Sequence, residues 1–342
     1  MHKKILGLLF LSVIIGLRLT AQIPNGYYDD AAGKTGEELK QALNTIIKGH
    51  IEKSYGDTRY ILDETDVDPN NSDNVLVIYS NHSVSGEWDA GSTWNREHVW
   101  AKSRGIGSVS NSTRGAGSDL HNLRACIPSI NSARNNRWFA ECSEPYQYNG
   151  TNTGSYTSST NWFWKPRDED KGDVARIIFY MSTRYEGEGD EPDLEAIDYI
   201  PADKYTTDPI HALLADLIKW HNEDPVSDFE QHRNNVIYSY QNNRNPFIDH
   251  PEYVGEIWQA TGITYDKQTE ATIYPNPATN TINIRATESF GHVAIINFMG
   301  AKVKEFNNAD KAVYIGDLPN GHYIVVLQSK NTSITLPLII VE

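Results

Sequence analysis

Apolar residues recur at helical spacing between Glu37 and Lys53, where Leu39, Leu43, Ile46 and Ile47 share one side. The run from Val75 to Tyr79 is apolar and rich in strand formers. Together they predict an α+β domain over residues 22–264. Residues 63–73 (DETDVDPNNSD) lack the glycine and the closing glutamate of an EF-hand loop, so a solvated turn is expected there in preference to a calcium site. Beyond about Glu270 the period shortens to alternating strands such as Thr281-Ile282-Asn283-Ile284 and Tyr323-Ile324-Val325-Val326-Leu327. A separate all-β domain is therefore expected at 273–342, joined by a linker at 265–272.

At the other end, Lys3 and Lys4 precede an apolar run from Ile5 to Leu17, and Leu19-Thr20-Ala21 offers a cleavage site. That layout predicts a signal peptide at 1–21 and a mature chain starting near Gln22, outside the cytoplasm. The run is shorter than the roughly 20 residues of a spanning helix, which makes a membrane anchor the weaker alternative.

Composition narrows the class. The chain has 342 residues, 39% hydrophobic and 11% aromatic, with a mean hydropathy of −0.53. These values exclude a disordered or multi-spanning protein and fit two globular domains. Two cysteines, Cys126 and Cys142, are too few for a disulfide-stapled miniprotein or a four-cysteine zinc site. An oxidising compartment would allow them to pair, with a contribution of about 3 kcal/mol; two buried thiols are the alternative.

The net charge of −15 argues against a nucleic-acid binder that works by overall basicity, but the charge is unevenly spread. Between Trp94 and Ala140 seven Lys or Arg (Arg96, Lys102, Arg104, Arg114, Arg124, Arg134, Arg137) face only Glu97 and Asp119, a local charge of +5 that leaves −20 elsewhere. A cationic island in an acidic chain suits a polyanionic substrate. The same stretch contains WNREHVWAKSR and DLHNLRACIPSINSARNNRWF, unusually rich in His, Asp, Asn and Arg. Glu97 and His98 are neighbours, so both reach one site only where a strand ends or kinks. A helix expected from Pro128 puts Asn131, Arg134 and Asn135 on one face, with Trp138 extending it. A carboxylate, an amide oxygen, an imidazole and an arginine suit magnesium, which keeps several waters; zinc would want more His or Cys.

The segments Trp94-Asn95-Arg96-Glu97-His98-Val99-Trp100, Asp119-Leu120-His121-Asn122-Leu123, Asn131 with Arg134, and Asn243-Arg244-Asn245-Pro246-Phe247 together resemble the endonuclease I family of secreted nucleases. The resemblance implies a ββα-metal (His-Me finger) core with surrounding helices. It implies His98 as general base, Glu97 and Asn131 as ligands of one Mg²⁺ (Mn²⁺ or Ca²⁺ as alternatives), and Arg134 as a catalytic phosphate holder. Arg96, Arg104, Arg114 and Arg124 are the candidates for contacting substrate. Arg104 and Arg114 compete for the role of stabilising the transition state. Asp119, His121, Asn122 and Asn245 are expected to position the site. Where the family has proline after the His-Val-Trp triplet, this chain has Ala101, with no chemical group lost. The remaining histidines, among them His50, His82, His211, His221, His232 and His250, are read as surface or packing residues. Tyr146, Tyr148, Tyr156, Trp162, Phe163 and Trp164 could stack on bases, but packing is the favoured reading.

The Tyr274-Pro-Asn-Pro-Ala-Thr-Asn start and the Leu318-Pro-Asn-Gly-His-Tyr323 turn resemble the C-terminal sorting domain of type IX secretion substrates. This implies export to the cell surface or medium through the secretion machinery; a β-sandwich used for adhesion is the alternative. The expected function is a monomeric, secreted, sequence-nonspecific endonuclease cutting DNA, and RNA as well, to 5′-phosphate and 3′-hydroxyl ends. Against it stand a non-catalytic surface protein that binds nucleic acid or glycans and a phosphodiesterase for small substrates.

Overall fold

The computed structural model describes residues 23–80, 82–211, 213–259, 271–286, 290–297, 301–307, 312–328 and 333–341. The expected signal peptide and residues 265–270 of the expected linker lie outside them. The chain forms two compact units that divide between Trp258 and Gln259.

In the first unit α1 (Gly36–Ile47) buries Leu39, Leu43 and Ile47, the i, i+4, i+8 stripe. It stops at Ile47, well before the expected Lys53, where Lys48 and Gly49 follow. α2 (Tyr55–Thr65) is capped by Ser54, whose hydroxyl accepts from the Asp57 amide. Then β1 (Val67–Asp68) and β2 (Asn71–Leu76) pair, and β3 (Ser83–Ser85) adds to β2. The expected solvated turn at 63–73 is thus partly a structural core element. Asp66 is fully buried, accepting from Arg124 Nε at 3.1 Å, from the Ala125 amide at 2.7 Å and from Arg233. The apolar run Val75–Tyr79 leaves the ladder after Leu76 but stays buried, and Tyr79 turns the chain with φ 74.

The centre of the unit is β4 (Asn95–His98) paired antiparallel with β5 (Leu123–Cys126), with Glu97 opposite Arg124 and His98 opposite Leu123. β5 runs into α3 (Pro128–Arg134), whose Pro128 stands in the first turn. α3 ends at Arg134 because Asn135 takes φ 53. Trp138 therefore does not extend the helical face; it belongs to β6 (Trp138–Phe139). The second sheet of the unit has the order β6, β9 (Phe163–Lys165), β8 (Thr151–Ser158), β7 (Glu144–Tyr148). α4 (Lys171–Arg184), all of whose residues are buried, packs against α1 and, later in the chain, against helices near residues 214–223 and 246–249. A short parallel pair, β10 (Glu195–Ala196) and β11 (Ile210–His211), precedes α5 (Leu214–Glu223), α6 (Asp228–Gln241) and α7 (Pro246–Asp249).

The expected disulfide is not formed. Cys126 and Cys142 are both free. The Cys126 thiol sits in β5 and donates weakly to the carbonyls of Ile78 and Ile127, fully buried, whereas Cys142 is half-buried.

The second unit is all β. One sheet holds β12 (Ala271–Tyr274), β13 (Thr281–Ala286) and β16 (Val313–Tyr314); the other holds β15 (Lys302–Asn307), β14 (His292–Asn297), β17 (Gly321–Gln328) and β18 (Ser333–Ile340) in that order. Along β17, Tyr323, Val325 and Leu327 point inward and alternate with outward residues, the period-2 pattern of a sheet with one wet face.

Candidate active site

β4 and α3, with Tyr55 at the start of α2 and the loops on either side of β4, line an open cleft of about 660 Å³ that holds Glu97, His98 and Asn131 together with Tyr55, Trp88, Asn95, Arg96, Lys102 and Asn135. β4 ends at His98, which is how two neighbours on one strand come to share it.

His98 is anchored from behind. Its Nε2 lies 2.9 Å from the Gly117 carbonyl, and a carbonyl only accepts, so Nε2 carries the proton and Nδ1 keeps a lone pair. Gly117 is closely packed: a Cβ there would meet the Val109 methyl at 2.9 Å and the Thr113 methyl at 3.1 Å. Tyr55 stacks on the imidazole, with centroids 5.3 Å apart. Burial above all, with Lys102, Arg96 and Arg134 nearby, lowers the His98 pKa to about 4, so the ring is neutral at physiological pH; the Gly117 bond works the other way.

Glu97 is held by groups on other elements. Tyr79 Oη donates to Glu97 Oε1 at 2.9 Å, and Arg134 Nη1 lies 3.2 Å from the same oxygen. Burial pushes the carboxyl up to about 7, and Arg134 and Tyr79 pull against it. Tyr79 is itself fixed: its amide donates to Asp170 at 2.8 Å and its carbonyl accepts from Ser155. Asn131 turns its Nδ2 to Asn95 Oδ1 at 2.8 Å and to the Arg96 carbonyl at 3.3 Å, which leaves Oδ1 for the cleft. Glu97 Oε2 and Asn131 Oδ1 thus form a pair of oxygen donors without other partners among the described residues. That donor set fits a hard divalent cation completed by water and phosphate.

Three arginines expected to touch substrate are interior. Arg134, fully buried, donates to the carbonyls of His98 at 3.0 Å, Val99 and Asn135 and to His211 Nε2 at 3.0 Å. It clamps the end of β4 and pairs with Glu97, and its side chain has no exposure to solvent. Arg124 bridges Asp66 and Asp173 at 3.1 Å each. Arg104 spends its guanidinium on the carbonyls of Asn136, Lys204 and Thr206 and stacks on Trp138 at 3.5 Å. Arg96 does line the cleft, its guanidinium 3.6 Å over Tyr55 and 5.2 Å over Trp88. Arg114 is exposed and donates to the Glu52 carbonyl outside the lining.

Asp119, His121, Asn122 and Asn245 lie behind the cleft. Asn122 brackets Trp100, accepting from its amide at 2.6 Å and donating to its carbonyl at 3.2 Å. Asn245 caps α7 and donates to the Arg176 carbonyl. His121 lies 3.4 Å from the Asn243 carbonyl and against Tyr180. Asp119 accepts from Tyr180, Tyr185, Gln241 and the His121 amide. Burial opposes its charge, but the flanking imidazoles and these donors prevail and hold the carboxyl down at about 2. A depressed carboxylate contributes stability that is present above its unfolded value and lost as pH falls through the folded one. Wild type is therefore expected to lose about 2 kcal/mol between about pH 4 and pH 2 through this group. Asp119→Asn is expected to be less stable at neutral pH with that acid limb flattened, checked by urea denaturation across the pH range.

Tyr79 and Tyr55 belong to the site and carry no sequence signal: each lies outside the His-rich motifs, and only the fold aims it at Glu97 or His98. Asn95 lies within the Trp94–Trp100 motif, but its role in orienting Asn131 shows only in the fold.

The geometry is that of an enzyme acting on a polyanion, and comparison with known proteins agrees. The endonuclease I family model matches residues 35–252 and the secretion system C-terminal sorting domain model matches residues 272–341. The chain is 46% identical over 235 residues to an extracellular ribonuclease of Bacillus subtilis (strain 168), covering 68% of this chain and 78% of that protein. It is 45% identical over 236 residues to an extracellular ribonuclease of Bacillus amyloliquefaciens, with the same coverage. The chain belongs to the endonuclease I family. It is a secreted or cell-surface nuclease, a phosphodiester hydrolase, and the non-catalytic alternative falls away.

Proposed function

We propose that the enzyme is a metal-dependent, sequence-nonspecific endonuclease that hydrolyses RNA and DNA with water as the nucleophile. One observation carries the reading: a neutral imidazole with a free Nδ1, a carboxylate oxygen and an amide oxygen open into one cleft. Glu97 and Asn131 would hold the cation. When bound, it polarises the phosphate and offsets charge on the departing oxygen. His98 Nδ1 takes the proton of the attacking water as the new P–O bond forms and the P–O3′ bond breaks; the departing oxygen takes a proton from solvent water and His98 later returns its own to solvent, leaving 5′-phosphate and 3′-hydroxyl ends. Arg96 and Lys102 at the rim meet flanking phosphates and carry no base-reading geometry. RNA as a substrate is supported by the ribonuclease relatives, and DNA by a chemistry with no use for a 2′-hydroxyl.

The test is digestion of RNA, fully 2′-O-methylated RNA and supercoiled plasmid by the full chain, in Mg²⁺ and in EDTA. All three are expected to be cut in Mg²⁺ to 5′-phosphate ends, and none in EDTA. Cleavage of plain RNA with survival of the methylated strand would overturn the proposal, because the 2′-hydroxyl would then be the nucleophile.

A further inference from the structure

Most of the aromatic residues around β7 to β9 pack, as their composition suggests: Trp164 is fully buried, and Tyr146 lies against it at 5.0 Å. Trp162 behaves differently. It is half-buried, and its backbone takes φ 63, a conformation that bulky residues rarely adopt. Its indole Nε1 donates to Asn136 Oδ1 at 2.8 Å. The Arg137 guanidinium stacks 3.9 Å over its ring, and Tyr205 meets it edge-on at 5.0 Å. Tyr205 is 52% exposed, with the Lys204 ammonium 5.2 Å over its ring.

Two aromatic rings and two cations are thereby held in one surface patch. Arg137 donates only to the carbonyls of Ala133 and Ser158, and Lys204 only to those of Ser159 and Thr160. Neither pairs with a carboxylate among the described residues, although Asp203 and Glu144 lie near. In a chain of net charge −15 that is an unusual use of two cations.

The patch is also built and continuous with the cleft. Asn135 lines the cleft, and Asn136, the next residue, holds Trp162. Arg104 ties the Asn136 carbonyl (2.7 Å) to those of Lys204 (3.2 Å) and Thr206 (3.1 Å), and Trp138 Nε1 donates to Lys204 O at 2.9 Å. Gly105 adopts φ 84 where any Cβ would collide with Pro209, so the 204–209 segment packs directly on the chain after Arg104. The end of the metal-ligand helix α3 and the 204–206 loop therefore form one piece.

We propose that Trp162, Tyr205, Arg137 and Lys204 form a platform for the unpaired nucleotides that flank the bond cut in the cleft, a reading that rests on the nuclease activity proposed above. Bases stack on the open faces of Tyr205 and of the Arg137 guanidinium, and Arg137 and Lys204 meet the phosphates between them. Stacking demands bases free of a duplex, so the platform favours single strands.

The experiment compares the full chain with its Trp162→Ala/Tyr205→Ala variant on a long single strand, a duplex of the same sequence and a trinucleotide confined to the cleft. KM for the long single strand is expected to rise about ten-fold, with kcat/KM for duplex and trinucleotide unchanged. Lys204→Gln is expected to flatten the slope of log KM against log salt by about 0.7 for single strands. An unchanged single-strand KM overturns the platform. A loss of the same size on the trinucleotide does so too, since the variant would then have disturbed the cleft. The comparison holds whichever group takes the proton from water, so it fails separately from the roles of His98 and the metal.

Discussion

His98→Ala is expected to lower turnover of RNA and plasmid about 10³-fold, far more than the modest fall in the urea midpoint that follows from losing the buried ring's Gly117 bond and Tyr55 stack. What the chemistry would lose is the Nδ1 lone pair, whose tautomer the Gly117 carbonyl sets by occupying Nε2. Burial keeps the ring unprotonated, so the lone pair is available across the physiological range. The proposed cation donors, Glu97 Oε2 and Asn131 Oδ1, belong to other side chains and stay in place, so Mg²⁺ affinity measured by calorimetry is expected to be unchanged. A loss of less than about ten-fold would mean that water gives its proton elsewhere.

Arg134→Met is expected to cost about 3–5 kcal/mol of stability, because it strips the partner from a carboxylate that is almost fully buried. The same change releases the carbonyls of His98 and Val99 that the guanidinium gathers, so the Mg²⁺ affinity of the cleft is expected to fall with it. Adding Glu97→Gln is expected to recover much of the lost stability, since the orphaned charge disappears. A phosphate-binding Arg134 makes the opposite forecast: KM rises and the denaturation midpoint barely moves. Urea titration of the two single variants and the double variant separates the readings.

The motif residues could be read before the fold because their chemistry is dense: Glu97, His98 and Asn131 have few structural reasons to sit among tryptophans, and they do meet in one cleft. The helix from Pro128 was legible from its proline, but its end was not, since Asn135 turns it with a positive φ that asparagine tolerates. Arginines were the weakest part. Arg104, Arg124 and Arg134 count as +3 in any sequence tally, yet each is consumed inside, by carbonyls or by Asp66, Asp173 and Glu97. Burial of a charge depends on partners far along the chain, such as Asp66 for Arg124 and Lys204 for Arg104, and no local pattern encodes it. Tyr79 was hidden for the same reason, as a strand-like residue whose hydroxyl finds Glu97 only after the chain turns.

The inward use of those arginines changes how the enzyme meets its substrate. Three of the seven local cations spend their donors inside, and the whole chain carries a net charge of −15, so its far field is anionic, the same sign as a nucleic acid. Long-range attraction therefore does not guide the encounter. Dissolved salt shortens the reach of the mutual repulsion to about 8 Å at physiological strength and to about 3 Å at 1 M. Salt therefore acts on this enzyme in two opposed ways: it eases the approach of the two like-charged bodies, and it loosens the phosphate contacts of cations such as Lys204 once the strand is bound.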